Sequence, residues 1–166
     1  MARRSRHVRV EDLTTYRRTH AVRLPDFDYV GDADIHLTIC AQTGAPFRDD
    51  TLAALVCENV EFYCRRLGYR LYGFCLMPDH LHVLFSPASS DKPLEDWLRD
   101  FKSFTTNRFI KTTGKARLWQ ESGHDHVCRT EETAEKVLLY IVNNPVRAGL
   151  VERWEDWPWT KVFIPL

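Results

Sequence analysis

The chain has 166 residues, of which 44% are hydrophobic and 28% charged, and its formal net charge at pH 7 is zero. This size and composition are typical of one globular domain, and no apolar run is long enough to cross a membrane. The five cysteines include no Cys-x-x-Cys pair, which argues against a disulfide framework and favours free thiols in a reducing cytoplasm.

Positive charge is concentrated in two segments of this neutral chain. Residues 1–23 contain seven arginines against two acidic residues, and residues 99–117 contain six basic residues against one acidic residue. Two such segments could form a phosphate-binding surface. They could equally be a terminal arm and a solvated helix face, so charge alone leaves both interpretations open.

The first segment predicts an N-terminal arm rather than part of the domain. Residues 1–32 are Arg-rich and lack the apolar core of a secretion signal, so we interpret them as a basic arm preceding a domain at 33–166. Within that domain, residues 34–40 alternate apolar with polar side chains. This alternation predicts a strand with one buried face.

A helix and a hairpin follow. Apolar residues recur at helical spacing from residue 49 or 50 to residue 67, and Gly68 is a helix stop signal. Residues 69–76 and 80–86 are predicted to be two strands, joined by a tight turn at Met-Pro-Asp, residues 77–79.

The second half of the chain predicts two more helices and a short strand. A long helix is expected from Pro93 to the stop signal at Gly114, then a strand at 126–129 and a helix at 130–144 that Pro145 ends. The tail is aromatic and is expected to pack back on the domain through Trp154, Trp157 and Trp159.

This element order predicts the fold class. Strand, helix, strand, strand, helix and strand indicate an α+β protein with a ferredoxin-like antiparallel sheet, its two helices on one face. The last helix is then an addition to that plan.

One strand carries a pair of histidines. Period-two alternation places His80 and His82 on one face of the third strand, whereas Leu81, Val83 and Phe85 point to the other. We expect both imidazoles to be exposed beside the last helix, where they could form a two-ligand metal platform. Taken alone, a His-x-His pair on a strand is more often two exposed side chains with no role in metal binding.

The last helix carries a second pair. Tyr140 and Asn144 are four residues apart, which stacks them on one side of that helix, on the flank of its apolar stripe and bordering both sheet and solvent. A structural tyrosine and a helix-terminal asparagine are the more ordinary interpretation. A further His-x-His pair, His124 and His126, could join the first in a structural zinc site, although no zinc-type Cys/His spacing occurs.

Longer motifs resemble the REP-associated tyrosine transposases, a branch of the single-tyrosine HUH transposases. The segment Tyr72–Phe85, with its Met-Pro-Asp-His-x-His core, is similar to the family's His-hydrophobic-His motif. The segments Leu118–Gln120, Asp125–Arg129 and Tyr140–Leu150 resemble further signatures of the branch. The resemblance spans about residues 33–160, in the family's order and separations.

The resemblance implies a metal site and a nucleophile. His80, His82 and Asn144 match the family's ligands for a divalent ion, Mg²⁺ or Mn²⁺, and the mixed imidazole and amide set suits Mn²⁺ better. Tyr140 matches the nucleophile, which would cut single-stranded DNA, form a 5′-phosphotyrosine and release a 3′-OH. That 3′-OH could later reverse the reaction and rejoin strands without ATP.

The implied partner is single-stranded or hairpin DNA from repetitive palindromic elements. The protein would be cytoplasmic, nucleoid-associated when bound to DNA, and a monomer or homodimer. Phosphate contacts are expected from basic side chains, each with a plain solvated surface as the alternative. These side chains are Lys102, Arg108, Lys111, His126, Arg129, Lys136 and Arg147.

Two other functions remain open at this point. The first is a domesticated protein that binds DNA palindromes but cuts little. The second is a zinc-stabilised RNA-binding regulator in which Tyr140 is merely structural. Metal identity and covalent trapping of DNA separate these readings from the transposase.

Overall fold

The computed structural model describes residues 34–87, 90–121 and 134–166, and the backbone of 124–127. The arm predicted at 1–32 lies outside the described residues. The strands are β1 (Ile35–Cys40), β2 (Arg70–Leu76), β3 (His80–Ser86), β4 (His124–Val127) and β5 (Thr160–Val162). The α-helices are α1 (Asp50–Leu67), α2 (Leu94–Thr113), α3 (Ala134–Val142) and α4 (Asn144–Arg147). Short 3₁₀ turns occur at Pro46–Arg48 and Trp154–Asp156.

One antiparallel sheet organises the molecule, with the strand order β4-β1-β3-β2-β5. Helix α1 connects β1 to β2, and α2 lies between β3 and β4 in the chain. The first four strands therefore confirm the ferredoxin-like plan expected from the sequence. Strand β3 is central, since it pairs with β1 on one side and β2 on the other.

Helix α1 begins and ends where local signals predict. The side chain of Asp49 accepts a hydrogen bond from the Leu52 backbone N–H at 2.8 Å, which caps the first turn. Gly68 ends the helix in the left-handed conformation, with φ of 74°, where a side chain would be strained.

Helices α1 and α2 cover one face of the sheet. The β3 side chains Leu81, Val83 and Phe85 point into this layer, as the strand alternation predicts. Trp97 and Phe101 of α2 stack with ring centres 4.7 Å apart within the same core. None of the described helices is long and apolar enough to span a membrane.

Helix α3 covers the opposite face. Its buried side chains include Val137, Leu138 and Ile141, which pack with Leu84 of β3 in a second hydrophobic cluster. Gly73 of β2 allows the close approach, since a Cβ there would lie 2.6 Å from Leu138 Cδ1. The sheet is thus sandwiched between two helical layers, and the polar side of β3 faces α3.

The prediction of one helix from 130 to 144 is wrong at its C-terminal end. Helix α3 ends at Val142, and a separate short helix, α4, starts at Asn144 with Pro145 in its first turn. Proline is tolerated there because a first-turn residue needs no intrahelical N–H partner. Residues 130–133 lie outside the described part of the chain.

The other differences concern β4 and the tail. Strand β4 starts at His124, two residues before the predicted strand, because its register with β1 pairs Thr38 with His124 and Ile35 with Val127. The aromatic tail packs back on the domain as expected. It does so as an unpredicted edge strand, β5, that pairs with Gly73–Cys75 of β2.

Candidate functional site

The centre of the site is a pair of imidazoles on the α3 side of β3. The Nε2 atoms of His80 and His82 lie 3.1 Å apart, and their rings are nearly perpendicular. Two nitrogen ligands at about 2.1 Å from one ion, at a right angle, would be separated by about 3.0 Å. The spacing of the two nitrogens therefore fits two neighbouring ligands of one divalent ion.

The second nitrogen of each imidazole has its own neighbours. His80 Nδ1 donates to the Asp79 carboxylate at 2.6 Å. His82 Nδ1 lies 3.0 Å from Thr38 Oγ1 and 3.1 Å from His36 Nε2. Such contacts orient the rings of metal-binding histidines and leave the other nitrogen for the ion.

The expectation that both histidines are exposed is wrong for His82. Its side chain is only 1% exposed, whereas that of His80 remains 20% exposed. The physical reason is that helix α3 and the neighbouring strand cover His82, whose ring has His36 and Tyr140 beside it. It is nevertheless not in the core beneath α1 and α2, so the predicted face is correct.

Helix α3 brings Tyr140 to the histidines. The centre of its ring lies 6.3 Å from that of His36 and 6.5 Å from that of His82, both in edge-on arrangements. The side chain is 5% exposed, which is more buried than a position bordering solvent suggests. The guanidinium carbon of Arg147 lies 4.8 Å from the centre of the same ring.

The side chain of Asn144, four residues after Tyr140, is held in place by hydrogen bonds from its own amide group. Its Nδ2 donates to the backbone carbonyls of Tyr140 and Ile141, each at 3.0 Å. Pro145 has no N–H for the Ile141 carbonyl, so the side-chain amide replaces the missing helical donor. Because the nitrogen is used in this way, the amide oxygen is the atom of Asn144 suited to bind a cation.

Two of the predicted phosphate-binding side chains lie on the same side of the sheet as Tyr140. Arg147, on α4, contacts the Tyr140 ring and is exposed, and Lys136 is exposed on α3 one turn earlier. The backbone of His126 belongs to β4 beside β1, while its side chain lies outside the described residues, as does all of Arg129.

The other three basic candidates lie on α2, across the sheet from the histidines. Lys102 Nζ donates to the Gln120 carbonyl at 2.8 Å and so supports the loop after α2. The guanidinium of Arg108 lies over the Phe104 ring, and Lys111 is exposed near the end of the helix. The structure therefore does not bring Lys102, Arg108 and Lys111 to the histidine face.

Sequence reasoning missed His36 and Thr38. Both occupy polar positions of the alternating β1 pattern, which suggested a solvent-facing side. The signal that could have identified them is strand pairing, because Thr38 is directly opposite His82 in the register. Polar residues on two neighbouring central strands then share one face with the histidines.

Three other nucleophilic side chains of the described residues are held in their protonated form by burial. Burial raises the pKa of the Cys64 and Cys75 thiols to about 12, so both stay protonated near neutral pH. Burial also raises the pKa of Tyr69, whose hydroxyl donates to the Lys92 carbonyl. In the described part of the chain, no group of three or more His, Cys, Asp or Glu side chains is arranged to hold a metal.

The chain is similar in sequence to known transposases. Residues 29–144 match the family described as "Transposase IS200 like". The chain is 28% identical over 107 residues to a Haemophilus influenzae protein assigned to the REP-associated tyrosine transposases, covering 58% of this chain and 61% of the relative. It is 24% identical over 92 residues to the Escherichia coli REP-associated tyrosine transposase, covering 55% and 53%. The aligned parts thus span little more than half of either relative.

Solved structures share the fold. A REP-associated tyrosine transposase bound to a REP hairpin superposes with a TM-score of 0.65 at 19% identity, over 84% of this chain and 82% of that one. A Deinococcus radiodurans structure assigned to the transposases gives a TM-score of 0.51 at 20% identity, over 69% and 92%. At these identities the likeness establishes the architecture.

Proposed function

Because this chain belongs to the family of IS200-like transposases, we propose that it is a metal-dependent, single-tyrosine nuclease and strand transferase for single-stranded DNA. One observation carries the proposal. The ring of Tyr140 lies 6.5 Å from that of His82, whose Nε2 faces the Nε2 of His80 at 3.1 Å. A potential nucleophile and a potential two-nitrogen metal platform thus share one face of the sheet.

The donor set fits a divalent ion. His80 and His82 would bind through Nε2, and Asn144 would supply its amide oxygen. The ion, Mg²⁺ or Mn²⁺, would polarise a phosphoryl oxygen and fix the scissile phosphate. Asp79 supports this use of His80, since it occupies the other ring nitrogen at 2.6 Å.

Tyr140 is proposed as the nucleophile. Its hydroxyl oxygen would form a bond to phosphorus while the bond from phosphorus to the 3′ oxygen breaks. The phenol loses its proton, and the departing 3′ oxygen gains one to become the 3′-OH. The product is a 5′-phosphotyrosine that keeps the energy of the phosphodiester, so attack by a 3′-OH can rejoin strands.

We propose that Arg147 contacts both the ring of Tyr140 and a phosphate of the DNA. Its guanidinium lies over the ring face, where a cation interacts favourably with the π electrons. Arg147 is exposed, and a planar guanidinium presents several donors suited to phosphate oxygens. Lys136, on the same helix as Tyr140, could bind a neighbouring phosphate.

The proposed substrate is hairpin DNA from a repeated palindrome. The support is that the matched relatives are REP-associated transposases and that a protein of the same fold was solved with a REP hairpin. Lys102, Arg108 and Lys111 lie on the opposite face, so we propose that they contact a part of the DNA remote from the cleaved phosphate. The arm at 1–32 is a further candidate for phosphate contacts.

The experiment is covalent trapping. The protein is incubated with an end-labelled single-stranded repeat hairpin and Mn²⁺, then separated on a denaturing gel. We expect a protein–DNA adduct that disappears in Tyr140→Phe and persists in the matched control Tyr63→Phe, which removes a hydroxyl from the α1 layer. An adduct that survives in Tyr140→Phe assigns the nucleophile elsewhere. Tight hairpin binding with no adduct from the unaltered protein favours a domesticated binding protein.

A further inference from the structure

The buried histidine of the site is contacted by two side chains of the neighbouring strand. His82 Nδ1 lies 3.0 Å from the Thr38 hydroxyl oxygen and 3.1 Å from His36 Nε2. The opposite nitrogen of the ring, Nε2, is the one that faces His80. The ring of His82 is therefore fixed at both ends by polar atoms.

The sheet itself sets this arrangement. Strands β1 and β3 are paired in the middle of the sheet, with Thr38 directly opposite His82 and His36 opposite Leu84. His36 is thus the diagonal neighbour of His82 on the same face, within reach of a long side chain. Because both partners sit on regular central strands, their positions do not depend on a loop.

The chemistry of imidazole gives these contacts a role. A neutral imidazole that offers Nε2 to a cation carries its proton on Nδ1. At a site as buried as that of His82, this N–H needs an acceptor, since an unpaired buried donor is costly. The Thr38 hydroxyl oxygen and an unprotonated His36 Nε2 are both acceptors at hydrogen-bonding distance.

We propose that Thr38 and His36 are positioning residues for metal binding. They hold the His82 ring and its Nδ1 proton so that the Nε2 lone pair points to the space shared with His80. This inference rests on the proposed metal-dependent function, and it adds two residues that no sequence motif singled out. Asp79 makes the corresponding contact to His80 from a largely exposed position.

Substitution of Thr38 gives the more specific test of the two residues. Thr38→Val keeps the shape of the side chain and removes the hydroxyl, whereas Thr38→Ser keeps the hydroxyl. His36 also contacts the Tyr140 ring, so changing it affects two neighbours. It serves as the second test, with His36→Phe removing the acceptor and His36→Gln retaining one.

The experiment measures Mn²⁺ binding to the full chain without DNA, by calorimetry and by the electron paramagnetic resonance of free Mn²⁺. We expect Thr38→Val to raise the Kd by about 10- to 100-fold, as is typical when a metal ligand loses its orienting partner. Thr38→Ser should stay within about threefold of the unaltered protein, and His80→Ala/His82→Ala should abolish binding. In the cleavage assay, added Mn²⁺ should restore Thr38→Val but not His82→Ala.

The outcomes separate the inference from the function on which it rests. If the unaltered protein binds no Mn²⁺, the metal site is wrong and the inference falls with it. If it binds Mn²⁺ and Thr38→Val binds equally well, or Thr38→Ser is as weak as Thr38→Val, the positioning role is wrong while the metal site stands. Should Thr38→Val fail to fold, as judged by its melting without metal, the His36→Phe and His36→Gln pair decides by the same criterion.

Discussion

Arg147 and Tyr140 form a cation–π contact, with the guanidinium carbon 4.8 Å from the centre of the phenol ring. The contact joins α4, which begins just before Pro145, to the helix that carries Tyr140. The break between α3 and α4 therefore lies between the two residues of this contact, Tyr140 before it and Arg147 after it.

The first prediction concerns this contact. Arg147→Gln should lower the single-turnover rate of DNA cleavage by at least about tenfold, and Arg147→Lys should restore it only partly, because an ammonium lacks the planar fork of a guanidinium. The loss of stability should be no more than about 1 kcal/mol, the usual size of an exposed cation–π contact. Rates are measured with labelled hairpin DNA, with Arg153→Gln as the control. A rate unchanged in Arg147→Gln would contradict the proposed role.

The second prediction concerns the packing of α3 on the sheet. A Cβ on residue 73 would lie 2.6 Å from Leu138 Cδ1 and 2.8 Å from the Lys161 carbonyl oxygen. Gly73→Ala should therefore destabilise the fold by about 1–3 kcal/mol, as is typical of overpacking, and should reduce cleavage by displacing the helix that carries Tyr140. Urea unfolding measures the first effect.

The control for this prediction is a double-mutant cycle with Leu138→Ala. Shortening Leu138 relieves one of the two clashes, so Gly73→Ala should cost less in the Leu138→Ala background than in the unaltered protein. Equal costs in both backgrounds would show that the helix does not limit the space at Gly73.

The third prediction concerns DNA affinity. If basic side chains contact phosphates, the affinity for hairpin DNA should fall steeply with salt, because counterions are released on binding. Lys111→Gln should reduce the slope of log K against log salt by about 1. The matched control is Lys161→Gln, since Lys161 is paired with Glu61 at 2.7 Å. A slope in Lys111→Gln equal to that of the unaltered protein would remove Lys111 from the DNA surface.

The fourth prediction concerns alkaline pH. Burial raises the pKa of Cys64 and Cys75 from 9.0 to about 12 in the folded protein. Above pH about 9 the unfolded chain releases these protons while the folded chain keeps them, so the contribution of the two thiols to the free energy of unfolding should be constant below pH 9 and fall between pH 9 and 12. Cys64→Ala should show a shallower fall in denaturant titrations at pH 8, 9.5 and 10.5. Identical pH profiles for the two proteins would argue against the buried thiol.

Much of this fold could be predicted because its signals are local. Asp49 and Gly68 mark the ends of α1 by capping chemistry, and the alternation around His82 gives the correct face of β3. What local patterns do not contain is the pairing between distant segments. The burial of His82 and its contacts with Thr38 follow from the register between β1 and β3, which no single segment encodes.

The short C-terminal elements show the same limit. Strand β5 has three residues, too few for a periodic pattern, and exists because β2 offers it an edge. At the junction of α3 and α4, the Asn144 amide donates to the Ile141 carbonyl, for which Pro145 has no N–H. In the sequence, Pro145 indicated only that a helix ends. The start of a second helix at the same place is visible only in the folded structure.

The pairing of β5 with β2 has a consequence for chains truncated before β5. The Trp157 indole donates to the Leu76 carbonyl and the Trp159 carbonyl accepts from the Leu76 N–H, so the tail closes the outer edge of β2. A product that stops before residue 157 would retain His82 and Tyr140 but leave that edge open, and open strand edges recruit other chains. We expect such fragments to precipitate, because the unpaired edge of β2 can add strands from other molecules.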